Sequence, residues 1–583
     1  MTLRRPLPSF ATLLALTTTI AFAAASRPNV ILIVTDDQGY GDMACHGNPW
    51  LRTPNLDRLH AEGVCLKNYH VDPLCTPTRA ALMTGRYSTR VGAWAVTEGR
   101  QLLDARETTM GDVFAASGYR TAMFGKWHLG DTFPFAPQYR GFQEVVCHKA
   151  GGVGEIGNPP GENYFDPTYF RNGRPEKFSA YCTDIWFDET LRFIGRAAEQ
   201  KPFFVYLPLN AMHGPHTVAE NYSARFLAQG IPEERAKFFG QIENFDENLG
   251  RLTTALRERN LERDTIVIFM GDNGTAAGTD GRIPADGFNA GMRGKKGMVY
   301  EGGHRVAGLV RWPERLVTGR TVAQLTSLRD WLPTLIALCG LTPPAGVAFD
   351  GADITPLLTG AAKDWPERTM FVDRQADRLE QWRPGAKQGA TPQFAVLTER
   401  WRLVNGELYD IRVDPGQTSN VAAFHPEVAL RLHAAYVDWF ADVTAHRGAY
   451  TRFLLGAGQE NPTTFTVRDW HPTVGRVIWE PRHLADDTLF PNGFWAVEIT
   501  RPGRYEIRLA RFPTDAPRLM GANEARLKIG DAEAHLAIAP TDAAANFTLN
   551  LPAGPALLTT WLKDASSGRE RGAYHVSVRW LGP

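Results

Sequence analysis

The sequence predicts an α/β chain: a central, mostly parallel sheet, then a small sheet-plus-helix unit, then an all-β, sandwich-like domain. Three observations predict it. Residues 29–34 (Asn-Val-Ile-Leu-Ile-Val) and 265–270 (Thr-Ile-Val-Ile-Phe-Met) are unbroken β-branched and apolar runs, which is how strands buried on both faces of a parallel sheet read. Residues 233–260 carry Phe238, Ile242, Phe245, Leu249, Leu252 and Leu256 at helical spacing, as a crossover helix packed on that sheet requires. From about Leu454 onward short alternating segments, at 494–499, 503–509, 525–529, 546–551 and 574–578, are separated by turn residues.

At 583 residues the chain is too long for one core, and two or three domains are expected. The expected division is 1–25 as a signal peptide, 26–360 as the catalytic α/β domain, 361–453 as a C-terminal subdomain and 454–583 as the accessory β domain. The leader rests on Arg4-Arg5, the apolar stretch 10–22 and the small-residue box Ala21-Phe22-Ala23, so export to a periplasm or the exterior is expected. No later stretch is long and apolar enough to span a bilayer, and stable membrane insertion is not expected. Sixty-three basic and 63 acidic residues cancel, so no global field recruits nucleic acid. Cys45, Cys65, Cys75, Cys147, Cys182 and Cys339 show no zinc-ribbon spacing, and export permits disulfides without assigning them.

In chain order, the first strand ends in Asp36-Asp37. Two adjacent carboxylates about 4 Å apart repel by about 4 kcal/mol at an effective dielectric near 20. A hard cation relieves that repulsion, and carboxylate oxygens suit Ca²⁺ or Mg²⁺. The strand 265–270 ends in Gly271-Asp272-Asn273-Gly274, so Asp36, Asp37, Asp272 and Asn273 form a candidate all-oxygen site where open α/β sheets place ligands. Between them, residues 120–124 lead into Gly125-Lys126-Trp127-His128, and 203–207 lead into His213-Gly214-Pro215-His216. A helix over 76–84 is expected, with Thr76 as N-cap, Pro77 at the first helical position and Gly85 as the stop. Cys75 then sits at a helix N-terminus and Arg79 one turn in, a setting that favours an oxyanion. Asp246 and Glu247 on the long helix read as solvated. Residues 395–397, 401–404 and 407–410 read as short strands and 426–443 as a helix. Trp94 and Trp186 are candidate aromatic groups beside the cleft.

Cys75-Thr76-Pro77-Thr78-Arg79, continued by Leu82-Met83-Thr84-Gly85, resembles the C-x-P-x-R signature of the type I, arylsulfatase-like sulfatases of the alkaline phosphatase superfamily, whose cysteine is converted to formylglycine. Gly118-Tyr119-Arg120-Thr121 through His128 resembles the second signature, with Phe124 bulkier than usual. His213-Gly214-Pro215 resembles H-x-P, which favours His213 over His216. Lys296-Gly297 through Glu301-Gly302-Gly303-His304-Arg305 resembles K-G-x-x-x-E-G-G-x-R, and the register selects Lys296 over Lys295. His304 stands where the family often has an aliphatic residue. The resemblance spans about 27–445.

It implies an alkaline-phosphatase-like sulfatase core and an exported hydrolase of sulfate esters, acting on sulfated carbohydrates. It implies Ca²⁺ rather than Mg²⁺ at Asp36, Asp37, Asp272, Asn273 and modified Cys75, and a formylglycine-generating enzyme as maturation partner. The implied roles give Arg79 and Lys126 to the hydrated aldehyde, Lys126, His213 and Lys296 to the sulfate oxygens, and His128 to proton removal from the second hydroxyl. Alternatives are a small aryl or alkyl sulfatase, or a phosphodiesterase or phosphonate hydrolase on the same fold. A two-zinc phosphatase needs a second Asp/His metal site, where this chain offers Lys126 and Lys296.

Overall fold

The computed structural model describes residues 27–197, 202–374, 393–445 and 449–583; the expected leader, 1–25, lies outside the described residues. The central sheet contains β1 (Asn29–Thr35), β2 (Val64–His70), β3 (Arg120–Lys126), β4 (Glu144–His148), β5 (Thr168–Arg171), β6 (Arg174–Lys177), β7 (Phe203–Pro208), β8 (Thr265–Gly271), β9 (Gly308–Arg311) and β10 (Arg320–Ser327). Their order is β10-β2-β9-β8-β1-β7-β3-β4-β5-β6. β1 runs parallel to β7 and β8, β3 parallel to β4 and β7, and β2 parallel to β10. β9 is antiparallel to β2 and β8, and β5 and β6 fold back along the β4 edge.

Every residue of β1 is buried, as its unbroken apolar run requires. Val30, Leu32 and Val34 face one core with Leu82, Met83 and Trp331, while Ile31 and Ile33 face the other with Phe245, Leu249 and Leu252. The helix Glu233–Glu258 forms much of that second core, and all six apolar positions expected to face the sheet are buried.

Asp246 departs from its expected solvated role. It is 2% exposed and accepts hydrogen bonds from the backbone N–H groups of Asn55 and Leu56, at the first turn of α1 (Pro54–Glu62). It caps that helix from a neighbouring element, satisfying donors that lack an intrahelical partner. Glu247, by contrast, is exposed. Burial pushes the Asp246 carboxyl up to about 6 against the pull of those N–H groups. Between about pH 4 and pH 6 the folded chain therefore keeps a proton that the unfolded chain releases. This group makes stability fall as pH rises through that window, by up to about 3 kcal/mol. Asp246→Asn is expected to flatten this part of the pH–stability curve in urea melts; an unchanged difference between its two ends would contradict the assignment.

α2 (Cys75–Thr84) begins two residues earlier than the expected start at Pro77, with Leu74 extended before it and no side-chain cap. Pro77 thus occupies the third helical position. The first turn has no intrahelical use for its N–H groups, so a proline there costs no helical hydrogen bond. Gly85 closes the helix in the left-handed region at φ 67°, as expected.

A four-stranded antiparallel sheet follows, formed by 370–374, 393–397, 401–404 and 407–410 in chain order. The helix Pro426–Val443 packs on it, with Tyr436 stacked on Phe394 at 3.8 Å between ring centroids. The C-terminal region forms a seven-stranded and a four-stranded sheet around a shared core that includes Trp495, Ile507, Leu527, Leu558 and Val578. Leu102, Phe135 and Ile156 from the first 360 residues join that core, so the β region is packed directly on the α/β unit.

Candidate active site

Parallel register assembles the site. Thr35 pairs with Gly271, so the next residues, Asp36 and Asp272, leave neighbouring strands at the same height. β7 lies beside β1 and β3 beside β7, both parallel and ending at the same edge of the sheet, delivering the loop to His213 and the pair Lys126 and His128. Gly125 is obligatory at that edge: it has φ 129°, and a Cβ there would lie 1.8 Å from the Pro208 carbonyl oxygen. Gly274 does the same for the opposite wall, where a Cβ would lie 2.0 Å from the Gly302 carbonyl oxygen.

Donor atoms of Asp36, Asp37 and Asp272 lie within 4.8 Å of one another, all in buried side chains. Asp272 Oδ1 accepts the Asp37 N–H at 3.0 Å, and Asn273 Nδ2 donates to Asp37 Oδ1 at 2.9 Å. Asp36 Oδ1 and Asn273 Oδ1 are buried without a hydrogen-bond partner. Buried oxygens left bare at the centre of an all-oxygen donor set are what a hard cation fills, so the residues fit a divalent metal. The Cys75 sulfur is not part of the acidic triad.

Three fixed cations surround the triad. Arg79 is fully buried, donates to Asp272 Oδ2 at 2.8 and 3.2 Å, and donates to the Lys126 carbonyl at 2.9 Å. Lys126 Nζ meets Asp36 at 2.5 Å and Lys296 Nζ meets Asp37 at 2.6 Å. Burial opposes ionisation throughout, but the carboxylate charges hold both lysines above their usual range. Burial also pushes Asp37 up, yet Lys296, His213 and the Asn273 hydrogen bond together outweigh it and hold that carboxyl below the usual carboxylate range. Burial, with the neighbouring Asp36 carboxylate, raises Asp272 to about 6. Three carboxylates balance three cations, so a divalent metal leaves the site net positive and attractive to an anionic ester.

Cys75, first in α2, places Sγ 3.4 Å from His128 Nδ1. Burial raises the Cys75 thiol, so it stays protonated. His128 Nε2 lies 3.1 Å from the Val96 carbonyl, which can only accept; the proton is therefore assigned to Nε2 and the Nδ1 lone pair faces Cys75. Burial, then the charges of Lys126, Arg468 and Arg79, hold His128 well below its usual pKa. Asp37 and His128 both adopt φ 62°, a conformation disfavoured for side-chain-bearing residues and found here at two residues of one site.

This constellation sits inside a matched family. Residues 28–341 match the sulfatase family, and residues 292–435 match the C-terminal family of N-sulphoglucosamine sulphohydrolase. The chain belongs to the sulfatase family. As a sulfatase it is a sulfuric ester hydrolase. It is 31% identical to human arylsulfatase A over 461 residues, which is 70% of this chain and 87% of that one. It is 32% identical to N-acetylgalactosamine-6-sulfatase of Canis lupus familiaris over 528 residues, 81% of this chain and 96% of that one. Among solved structures, Ps i-CgsB in complex with k-i-k-neocarrahexaose superposes with a TM-score of 0.64 at 25% identity, covering 73% of this sulfatase and 95% of that chain.

The structure separates the two histidines of the sulfatase's β7 loop. His213 faces Lys296 and Asp37, and its pKa falls to about 4, first through burial and then through Lys296. His216 turns away, with Nδ1 3.1 Å from Gln241 and its ring against Phe238. His304 is also accounted for. Its Nδ1 meets His70 Nδ1 at 3.0 Å and its Nε2 meets the Val299 carbonyl at 3.2 Å, while Arg402 grips Glu301 at 2.5 Å. This buried network anchors the Lys296 loop to β2 and to the small sheet.

One expectation needs correction, and one residue was missed. Trp186 is fully buried and donates to Asn210, so it lines no cleft, whereas Trp94, 2% exposed, borders a pocket with Arg86, Arg90 and Arg100. Arg468, from the β region, reaches the site: Nη2 bonds Glu155 at 3.2 Å, and a Cβ on Gly151 would lie 3.2 Å from that nitrogen and 2.6 Å from the His128 ring. Nothing local in Thr466-Val467-Arg468-Asp469 marks it, because only the packing of the β region on the α/β unit brings it there.

Proposed function

We propose that this sulfatase is exported and hydrolyses sulfate esters of carbohydrates, using formylglycine at position 75 and a divalent cation. The observation that carries the reading is the buried thiol at the α2 N-terminus, 3.4 Å from an unprotonated His128 nitrogen and beside a charge-balanced acidic triad. A thiol held protonated is a poor nucleophile, which favours a modified residue over cysteine chemistry. The leader at 1–25 supports export, and conversion of Cys75 implies a formylglycine-generating enzyme.

Asp36, Asp37, Asp272 and Asn273 would hold the cation, Ca²⁺ before Mg²⁺ because the donors are already protein oxygens and a strict octahedral water shell is not needed. Held there, with residue 75 as a further ligand, the cation would supply Lewis acidity for the attack. Hydrated formylglycine supplies that oxygen and a second hydroxyl through which the aldehyde is regenerated. His128 takes the proton from that second hydroxyl, since Nδ1 is its open acceptor. Arg79 and Lys126 fix the negative charge that faces position 75. Lys296, kept protonated by Asp37, and His213, which gains its proton when sulfate charge is added beside it, serve the sulfate and leaving oxygens. A sulfated carbohydrate is favoured because the relatives include N-acetylgalactosamine-6-sulfatase and a complex with k-i-k-neocarrahexaose. The division at 360 and 453 belongs to this proposal; the four-stranded sheet from 370 to 410 with its helix, and the β region beyond it, support it.

Sulfate release from a panel of sulfated oligosaccharides, an aryl sulfate and a phosphate monoester tests the reading. Saccharides are expected to give the highest kcat/KM. Turnover confined to the aryl sulfate makes it a small-ester sulfatase, and phosphate as the best substrate overturns the assignment. His213→Ala is expected to lower kcat/KM by about 10² to 10⁴-fold, the scale of a lost proton donor. His216→Ala should lower thermal stability instead; equal activity losses would reject the distinction. Arg468→Ala unpairs Glu155 and loosens the wall beside His128, so kcat/KM on saccharides should fall about tenfold or more, the cost of a lost charge-assisted hydrogen bond. An unchanged value would leave the β region without a part in the site.

A further inference from the structure

We propose that Cys45, His46 and His60 form a second metal site, selective for zinc or a similar transition-metal dication. Cys45 and His46 lie in the short turn Ala44–His46, on the segment that leaves β1 through Asp36 and Asp37, and His60 lies in the last turn of α1. One donor atom from each lies within 4.8 Å of the other two. A thiolate and two imidazoles are soft and borderline ligands, the set zinc prefers and calcium refuses, so this site differs in kind from the all-oxygen one.

His46 carries the argument. Its Nδ1 is 2.7 Å from the Tyr40 carbonyl oxygen, which can only accept, so the proton sits on Nδ1 and the lone pair on Nε2. That Nε2 is buried and has no hydrogen-bond partner. The ring is held by stacking on Tyr40, 3.9 Å between centroids and 16° between planes. A ring nitrogen backed by a carbonyl, with its other nitrogen bare, is the arrangement of a metal-ligating histidine. His60 meets it edge-on at 5.6 Å between centroids. Asp57 ties the turn to α1 by accepting the Cys45 N–H at 3.1 Å and the Thr53 hydroxyl at 3.0 Å.

Cys45 is exposed, which gives a cation its way in. On binding, the Cys45 S–H bond breaks, its proton passes to solvent, and the sulfur lone pair forms the bond to the metal; no electrons change hands. Bonds of about 2.3 Å to sulfur and about 2.1 Å to nitrogen require the donors to draw in by roughly 1 Å, a small movement for an exposed turn, and water completes a tetrahedron. The cation clamps the turn to α1. The buried cluster His70, Glu301 and His304 has the right residue types but no bare donor: both nitrogens of each histidine and both Glu301 oxygens are already bonded.

The test uses the full chain, stripped by chelator, reloaded with Ca²⁺ and titrated with Zn²⁺ or Co²⁺ alone. The expected result is one tightly held zinc, a sulfur-to-cobalt charge-transfer absorption that survives Cys75→Ala and disappears in Cys45→Ser, and zinc affinity at least about tenfold weaker in both Cys45→Ser and His60→Ala. Sulfatase activity of those two variants should match wild type. Absorption lost in Cys75→Ala but kept in Cys45→Ser would place the metal at the catalytic cysteine and overturn the proposal. Failure to retain zinc, or a peptide showing Cys45 crosslinked to Cys65, would overturn it equally.

Discussion

Replacing Cys75 with alanine is expected to abolish turnover, by about 10⁴-fold or more, while shifting the melting temperature by no more than about 3 °C. The two effects separate because the side chain makes a single weak hydrogen-bond contact, to His128 at 3.4 Å, and removing one sulfur leaves a cavity worth only about 1 kcal/mol. On the proposed mechanism, catalysis depends on that atom position far more than the fold does. Cys75→Ser is the sharper variant: its hydroxyl supplies an attacking oxygen, but no second hydroxyl exists for His128 to deprotonate. It should take up one sulfate and stop. Intact-protein mass spectrometry would then show a single added sulfate with no multiple turnover, and a normal steady-state rate from Cys75→Ser would reject the mechanism.

Asp272→Ala is expected to cost stability as well as activity. Arg79 is fully buried and loses its 2.8 and 3.2 Å acceptor, while the Lys126 carbonyl and Asp36 at 3.7 Å remain. Stranding one member of a buried ion pair costs about 3–5 kcal/mol. The Asp37 N–H loses its acceptor in the same substitution. Asp272→Asn keeps an oxygen for that N–H and should lose less stability, yet both variants should lose the stabilisation that Ca²⁺ is expected to give wild type, about 2.7 kcal/mol at a hundredfold excess over Kd. Melts with Ca²⁺ and with chelator check this. A wild-type calcium response in Asp272→Ala would remove the acidic triad as the metal site.

The central strands were legible in the sequence because burial on both faces leaves no polar position: β1 and β8 are continuous apolar runs that end where the chemistry begins. The local motif around Cys75 was legible for a similar reason, since a helix start, a guanidinium and a glycine stop are short-range signals. What was not legible depends on distant packing. Asp246 reads as solvated on its own helix, and only the approach of α1 makes it a buried cap. Trp186 reads as a cleft aromatic, but Asn210 takes its N–H in the core. The strand Gly554–Asp564 is central to its sheet, pairing with 492–499 and 522–529, yet it is not among the alternating segments expected for that region. Arg468 is the strongest case, because it acts across an interface that no local pattern encodes.

Peptide mass spectrometry of position 75, on protein produced beside a formylglycine-generating enzyme, tests the central claim most directly. The account predicts an aldehyde side chain in the active fraction, in proportion to specific activity. Full activity from protein that carries only cysteine at position 75 would contradict it.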